Sequence, residues 1–93
     1  MRRRWLGATG VQVPEIALEG DPAVPLTDAV VLDDVADVRR LEDLHSRGVP
    51  VVVRARTADE VKRALSRPEV AAVLVPRTAR RLLDLDLTEL TYG

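Results

Sequence analysis

Cysteine is absent from the chain and histidine occurs once, at His45. Disulfides, thiolate metal sites and a cysteine nucleophile are therefore excluded, and one imidazole does not make an ordinary zinc site. Aromatic residues are nearly missing: Trp5 and Tyr92 are the whole complement, with no phenylalanine. That leaves no stacking platform for a flavin or a single-stranded base, and no cofactor is expected. No run approaches the roughly 18–20 apolar residues of a membrane span. Arg2, Arg3 and Arg4 resemble the basic start of a signal peptide, but Gly7, Gly10, Gln12, Pro14 and Glu15 interrupt what would be its apolar stretch. The expectation is a cytoplasmic protein with no membrane contact. There is no glycine-rich phosphate loop of the Walker or dinucleotide type.

Charge of one sign is also lacking. The formal net charge is −1, so no global basic field points to nucleic acid, and a nucleic-acid partner is not expected. The charged residues number 29, yet all but one of the 14 basic ones are arginine. Arginine suits carboxylate and phosphate recognition through its planar fork, although a codon bias toward Arg, Ala, Val, Asp and Leu would give the same composition.

The 93 residues allow one domain, which at this length buries only about 60–65% of its unfolded surface. Its core must come from valine, leucine and alanine. Residues 1–27 read as an N-terminal arm with a possible edge strand and a loop. VQVPEIAL (11–18) is strand-like, but Pro14 puts it at an edge or breaks it. EGDPAVPLT (19–27) reads as loop.

From residue 28 onward the pattern is regular, and residues 28–93 read as a βα-repeat domain. AVVLD (29–33) is a short apolar run. Residues 34–47 follow with Val35, Val38, Leu41 and Leu44 at helical spacing, and Gly48 stands where a helix C-cap belongs. VPVVVRA (49–55) is a second strand. Thr57 and Glu60 form a capping box for the next helix, which carries Val61, Ala64 and Leu65. VAAVLV (70–75) is a third strand, and Thr78 is placed to cap a third helix bearing Leu82 and Leu83. Strands beginning at 29, 49 and 70 imply α/β architecture: three to four parallel strands alternating with helices, wound like half of a barrel. An Arg-Thr-Ala triplet recurs at 56–58 and 77–79, each time at a strand-to-helix handover.

Both faces of these strands are apolar, as in parallel sheets buried on both sides. By strict alternation the third strand turns Val70, Ala72 and Leu74 to one face and Ala71, Val73 and Val75 to the other. Three helices wound on one side leave the second face bare. Either the strand order switches so that helices cover both faces, or a second copy of the chain covers it. The near-equal period favours a homo-oligomer.

In such folds sites gather at the carboxyl ends of the strands. That rim carries Asp33, Arg54, Arg56, Thr57, Arg77 and Thr78. Arg56 and Arg77 precede two helix N-termini, where anions are favoured, and Arg80 and Arg81 oppose the dipole of the third helix. Two accounts remain open. The arginines hold a small anionic ligand, a phosphate or carboxylate. Alternatively, Arg54 pairs with Asp33, and Arg56 with Asp59 or Glu60, as ordinary surface ion pairs. Asp33 is the one candidate acid or base. Asp34 or Asp37 suits a helix N-cap. His45 fits the end of a helix, and Ser46 and Ser66 have no histidine partner. Arg2–Arg4 beside Trp5 could grip an acidic surface or nucleic acid, or be a solvated basic start.

The run from AVVLD through VVVRARTADEVKRAL and AAVLVPR to LTEL, about two-thirds of the chain, resembles the middle of a phosphate-binding (β/α)8 barrel. It is most similar to indole-3-glycerol phosphate synthase around its fifth and sixth strands. The resemblance implies the fold of a barrel segment, and it aligns Arg77 with a ligand-facing residue of that family. The family's catalytic Glu falls on Arg54 and its Asn on Val75 or Pro76, and its catalytic Lys has no counterpart. Retention of that lyase chemistry is therefore not implied. Three functions are consistent with the sequence. One is a self-associating module without catalysis that binds a small anion at the rim. Another is an enzyme assembled from copies and acting on a phosphorylated metabolite. The last is a partner-binding or regulatory subunit.

Overall fold

In the computed structural model of the chain, residues 3–6, 10–26 and 29–84 are described. Six short strands, two α-helices and a 3-10 segment follow one another. Strands β1 (Arg3–Trp5) and β2 (Gln12–Pro14) form an antiparallel ribbon, pairing Arg3 with Pro14 and Trp5 with Gln12. Strands β3 (Ile16–Leu18), β4 (Val30–Leu32), β5 (Val51–Arg54) and β6 (Val70–Val75) form a four-stranded parallel sheet in the order β3-β6-β5-β4. The α/β class and the parallel pairing of the three later strands follow the sequence pattern. The fourth strand comes from VQVPEIAL, which serves two layers. Pro14 has no N–H to extend a ladder and ends the ribbon. The chain then crosses at Glu15 and enters the sheet at Ile16, opposite Val73. The Glu15 carbonyl accepts the Val73 N–H at 2.8 Å.

Helix α1 (Val38–Ser46) starts later than the apolar spacing suggests. The reason is local. Asp34 Oδ1 accepts the Ala36 N–H at 3.0 Å and holds a turn that is not helical. Asp37 is the N-cap, accepting from the Arg40 N–H at 3.1 Å. Leu41 and Leu44 are buried, whereas Val38 in the first turn is largely exposed. The helix ends in a Schellman motif. Gly48, at φ 73°, donates to His45 and Val49 donates to Leu44, at 3.0 and 2.9 Å.

Helix α2 (Ala58–Leu65) is capped by Thr57, whose Oγ1 accepts the Glu60 N–H at 3.2 Å. It buries Val61, Ala64 and Leu65, as its spacing predicts. The third helix differs from expectation. Arg77–Asp84 is a 3-10 segment, broken at Ala79 where φ and ψ leave the helical region. The Ala79 N–H bonds to the Pro76 carbonyl at 2.8 Å, a tight turn that begins before Thr78 can act as a cap. Thr78 is exposed and makes no side-chain hydrogen bond among the described residues.

The helices all pack on one face. Leu41, Leu44, Val61, Leu65, Ala79 and Leu82 meet Ile16, Val51, Val53, Val73 and Val75 in the larger core cluster. Strict alternation misplaces two residues of β6. Val52 pairs with Ala72 while Val51 pairs with Val70, so Ala71 is a bulge residue. The extra residue turns Val70 to the helix face and leaves both Ala71 and Ala72 on the other.

That other face is not bare. Leu6 and Val13 of the ribbon region and Val24 of the following loop pack over Ala17, Val52, Ala71, Ala72 and Leu74. Val52 and Ala72 have no exposed surface, and Leu74 is 3% exposed. The loop reaches its place through two turns. The Asp21 N–H donates to Leu18 O at 3.1 Å around Gly20, whose φ is +84°. A positive φ at the third position is what a type II turn requires. The Val24 N–H then donates to Asp21 O at 3.1 Å. The choice between helices on both faces and a second copy therefore omitted the answer found here, an antiparallel ribbon and a loop from the same chain. The layers run helices, parallel sheet, ribbon.

One charged pair fixes the ribbon to the sheet. Arg4 Nε donates to Glu15 Oε1 at 2.8 Å, with the two side chains 9% and 2% exposed. Its other nitrogens donate to the carbonyls of Leu65 and Val70 at 2.8 and 2.9 Å, and to Arg67 O at 3.3 Å. Arg4 thus closes the carboxyl end of α2, where carbonyls lack helical partners and a cation suits the dipole. Both readings of the basic start, a partner-gripping arm and a disordered segment, are corrected for this residue. The signal in the sequence was Glu15, a charge inside an apolar run, which burial obliges to find a partner.

Candidate functional site

The carboxyl ends of the parallel strands surround a hollow of about 690 Å³, lined by Glu19, Asp33, Arg54, Ala55, Arg56, Glu60, Leu74 and Pro76. Each charged residue comes from a point where the chain leaves or has just left a strand. Glu19 follows β3, Asp33 follows β4, Arg54 closes β5 and Arg56 follows it, while Glu60 stands in the first turn of α2. The two-residue period places Glu19, Asp33 and Arg54 on the side of Ala17, Val31 and Val52, which belong to the ribbon-side core. Ala55 and Leu74 are buried and Pro76 is half-buried, so the hollow has an apolar floor under a charged rim.

Arg54 is committed. Its Nε lies 2.9 Å from Glu19 Oε1, and its Nη1 lies 3.9 Å from Asp33 Oδ1. Pairing with Asp33 was one of the two accounts open from sequence. It is the weaker contact, and Glu19 is the partner that account missed. Glu19 lay in a stretch read as loop, but it follows an apolar triplet just as Asp33 does, and a parallel strand at 16–18 brings it to the same rim. The side chains of Arg54 and Glu19 are 55% and 46% exposed, so the pair contributes about 0–1 kcal/mol.

Thr57 and Glu60 are also spent locally. Glu60 Oε1 accepts the Thr57 hydroxyl at 3.2 Å and the Arg56 backbone N–H at 3.4 Å. A carboxylate of the chain itself therefore stands where an external anion would meet the start of α2, so the helix N-terminus is not an open anion site.

Arg56 lines the hollow, yet its guanidinium has no hydrogen-bond or ion-pair partner among the described residues. The expected pairing with Asp59 or Glu60 is not made by its side chain. Arg77 lies aside from the hollow, its Nη2 over the Gly20 turn, 3.4 Å from where a Cβ would stand. The structure thus gathers Asp33, Arg54 and Arg56 around one space. It leaves Thr57 as a cap and Arg77 and Thr78 outside the lining. Asp33 is 88% exposed.

His45 is exposed in the last turn of α1. Ser46 Oγ and Ser66 Oγ donate to the carbonyls of Asp43 and Lys62 in their own helices, at 2.8 and 2.7 Å. Among the described residues, no group of three or more His, Cys, Asp or Glu could hold a metal ion, and no helix is long and apolar enough to cross a membrane. No family model, curated protein or solved structure matches the chain.

Proposed function

We propose that the chain is a small binding module without catalysis of its own, and that its ligand is a small molecule bearing a carboxylate or phosphate, held in the hollow by Arg56. The observation that carries this reading is the Arg56 guanidinium, without a hydrogen-bond or ion-pair partner among the described residues, on a concave, apolar-floored rim beside an Arg54 already paired with Glu19. A planar guanidinium on a concave rim suits a carboxylate or phosphate. Binding is favoured over catalysis because Asp33, at 88% exposure, lacks the shielding from water that tunes a general acid or base.

The winding supports a barrel-like origin: β4, β5 and β6 are successive neighbours with their helices on one face. The ribbon lies where a barrel would have its interior. We therefore read the module as closed by its own N-terminal residues rather than by a second copy. The test is an NMR titration of the labelled chain with acetate and inorganic phosphate. Shifts centred on Ala55, Arg56 and Leu74 that vanish in Arg56→Gln are expected. Shifts that persist unchanged in that variant overturn the reading.

A further inference from the structure

The lining is unusual for an anion receptor, because three carboxylates and two guanidiniums share it. Most of these charges are already used. Glu19 holds Arg54 at 2.9 Å, and Glu60 receives the Thr57 hydroxyl and the Arg56 N–H. Two groups remain available. One is the Arg56 guanidinium, without a partner among the described residues. The other is the Asp33 carboxylate, which is 88% exposed and held, among the described residues, only by Arg54 at 3.9 Å, beyond hydrogen-bond length. The same hollow has an apolar floor in Ala55, Leu74 and Pro76.

We propose that the hollow selects a zwitterion, an amino acid with an apolar side chain: its carboxylate on Arg56, its ammonium on Asp33, its apolar part on Ala55, Leu74 and Pro76. The inference rests on the binding reading above and names the ligand class for the same site. A bare phosphate satisfies Arg56 but brings further negative charge toward Asp33, Glu19 and Glu60. A zwitterion meets both Arg56 and Asp33 and adds no net charge. Asp33, considered from sequence as an acid or base, becomes the residue that sets specificity.

Three probes of matched shape separate the contributions: leucine, 4-methylpentanoate (the same skeleton without the amine) and 3-methylbutylamine (without the carboxylate). Each is titrated by NMR into the wild type, Asp33→Asn and Arg56→Gln. The expected result is leucine binding about fivefold tighter than either half-molecule, the effect of one exposed ion pair of about 1 kcal/mol. Asp33→Asn should bring leucine down to the level of 4-methylpentanoate, and Arg56→Gln should weaken both acids. If leucine and 4-methylpentanoate bind the wild type equally, or if the preference survives Asp33→Asn, the zwitterion proposal is overturned. In that case, an acid that still depends on Arg56 leaves the binding reading standing. If the acids bind Arg56→Gln as well as wild type, the binding reading falls and the proposal falls with it.

Discussion

Removing the Arg4 guanidinium should be the most damaging single change to a polar residue outside the core. Arg4→Met keeps an unbranched apolar stem and deletes the fork. The structure counts what is lost: a bond to Glu15 at 2.8 Å and bonds to three carbonyls at 2.8, 2.9 and 3.3 Å. A hydrogen bond to a charged group contributes roughly 1.5–3 kcal/mol, but four on one side chain are not additive, and relaxation lets water reach some of the carbonyls. Breaking a buried charge pair costs about 3–5 kcal/mol, and we take that as the expected loss. The whole stability of a domain of this length is about 5–14 kcal/mol, so about a fifth of it or more is at stake. At about 4–8 °C per kcal/mol, the melting temperature should fall by roughly 12–40 °C.

The assay is urea unfolding followed by circular dichroism, with thermal melting alongside. Arg4→Lys sharpens it, since an ammonium keeps the charge and loses the fork, and about half of the loss should remain. Asp43→Ala is the control. It removes the exposed Arg47–Asp43 pair of α1, at 2.6 Å, and should cost no more than about 0.5 kcal/mol. An Arg4→Met chain destabilised by less than about 1 kcal/mol, or an Arg4→Lys chain equal to wild type, would refute the claim that this fork fastens the ribbon to the sheet.

Other outcomes follow from the same structure. Val13→Ala, at a fully buried ribbon position, should cost about 2 kcal/mol, and Val13→Asp should yield a chain that binds a hydrophobic dye. Because the ribbon covers the second face, sedimentation at micromolar concentration should show a monomer, while Val13→Asp, with that face uncovered, should associate. Thr57→Ala should lose about 1 kcal/mol in chemical denaturation through its N-cap bond to Glu60. Gly48→Ala should lose about 1–2 kcal/mol by the same measurement, because φ 73° is the left-handed region.

The four strands were unequally legible. AVVLD, VPVVVRA and VAAVLV each sit between turn or capping residues, so local pattern sufficed for β4, β5 and β6. Ile16–Leu18 is three residues long and begins two positions after Pro14, so the pattern left open whether 11–18 makes an edge strand or is broken there. Its strand character comes from β6, which supplies the hydrogen-bond partners. The bulge at Ala71 was equally invisible, since alternation is read on one strand and a bulge exists only between two. At the rim, Asp33, Arg54 and Arg56 were found because parallel strands end together. Glu19 was missed because 19–27 was read as loop, and Arg77 was included because a full helix was expected where a broken 3-10 turn stands.

The sequence by itself determined the α/β class, the parallel pairing of β4, β5 and β6, the caps at Gly48 and Thr57, and the end of the sheet at which charge collects; it left the cap of α1 open between Asp34 and Asp37. The caps depend on residues within a turn or two of one another, and the pairing on the regular alternation of strand and helix. Only the tertiary structure decided what covers the second face, which carboxylate holds Arg54, and that Arg56 rather than Arg77 is left facing the hollow. Those outcomes join residues 4, 13, 15 and 19 to strands some 35 to 60 positions later. Short-range pattern does not encode which distant groups burial will force together.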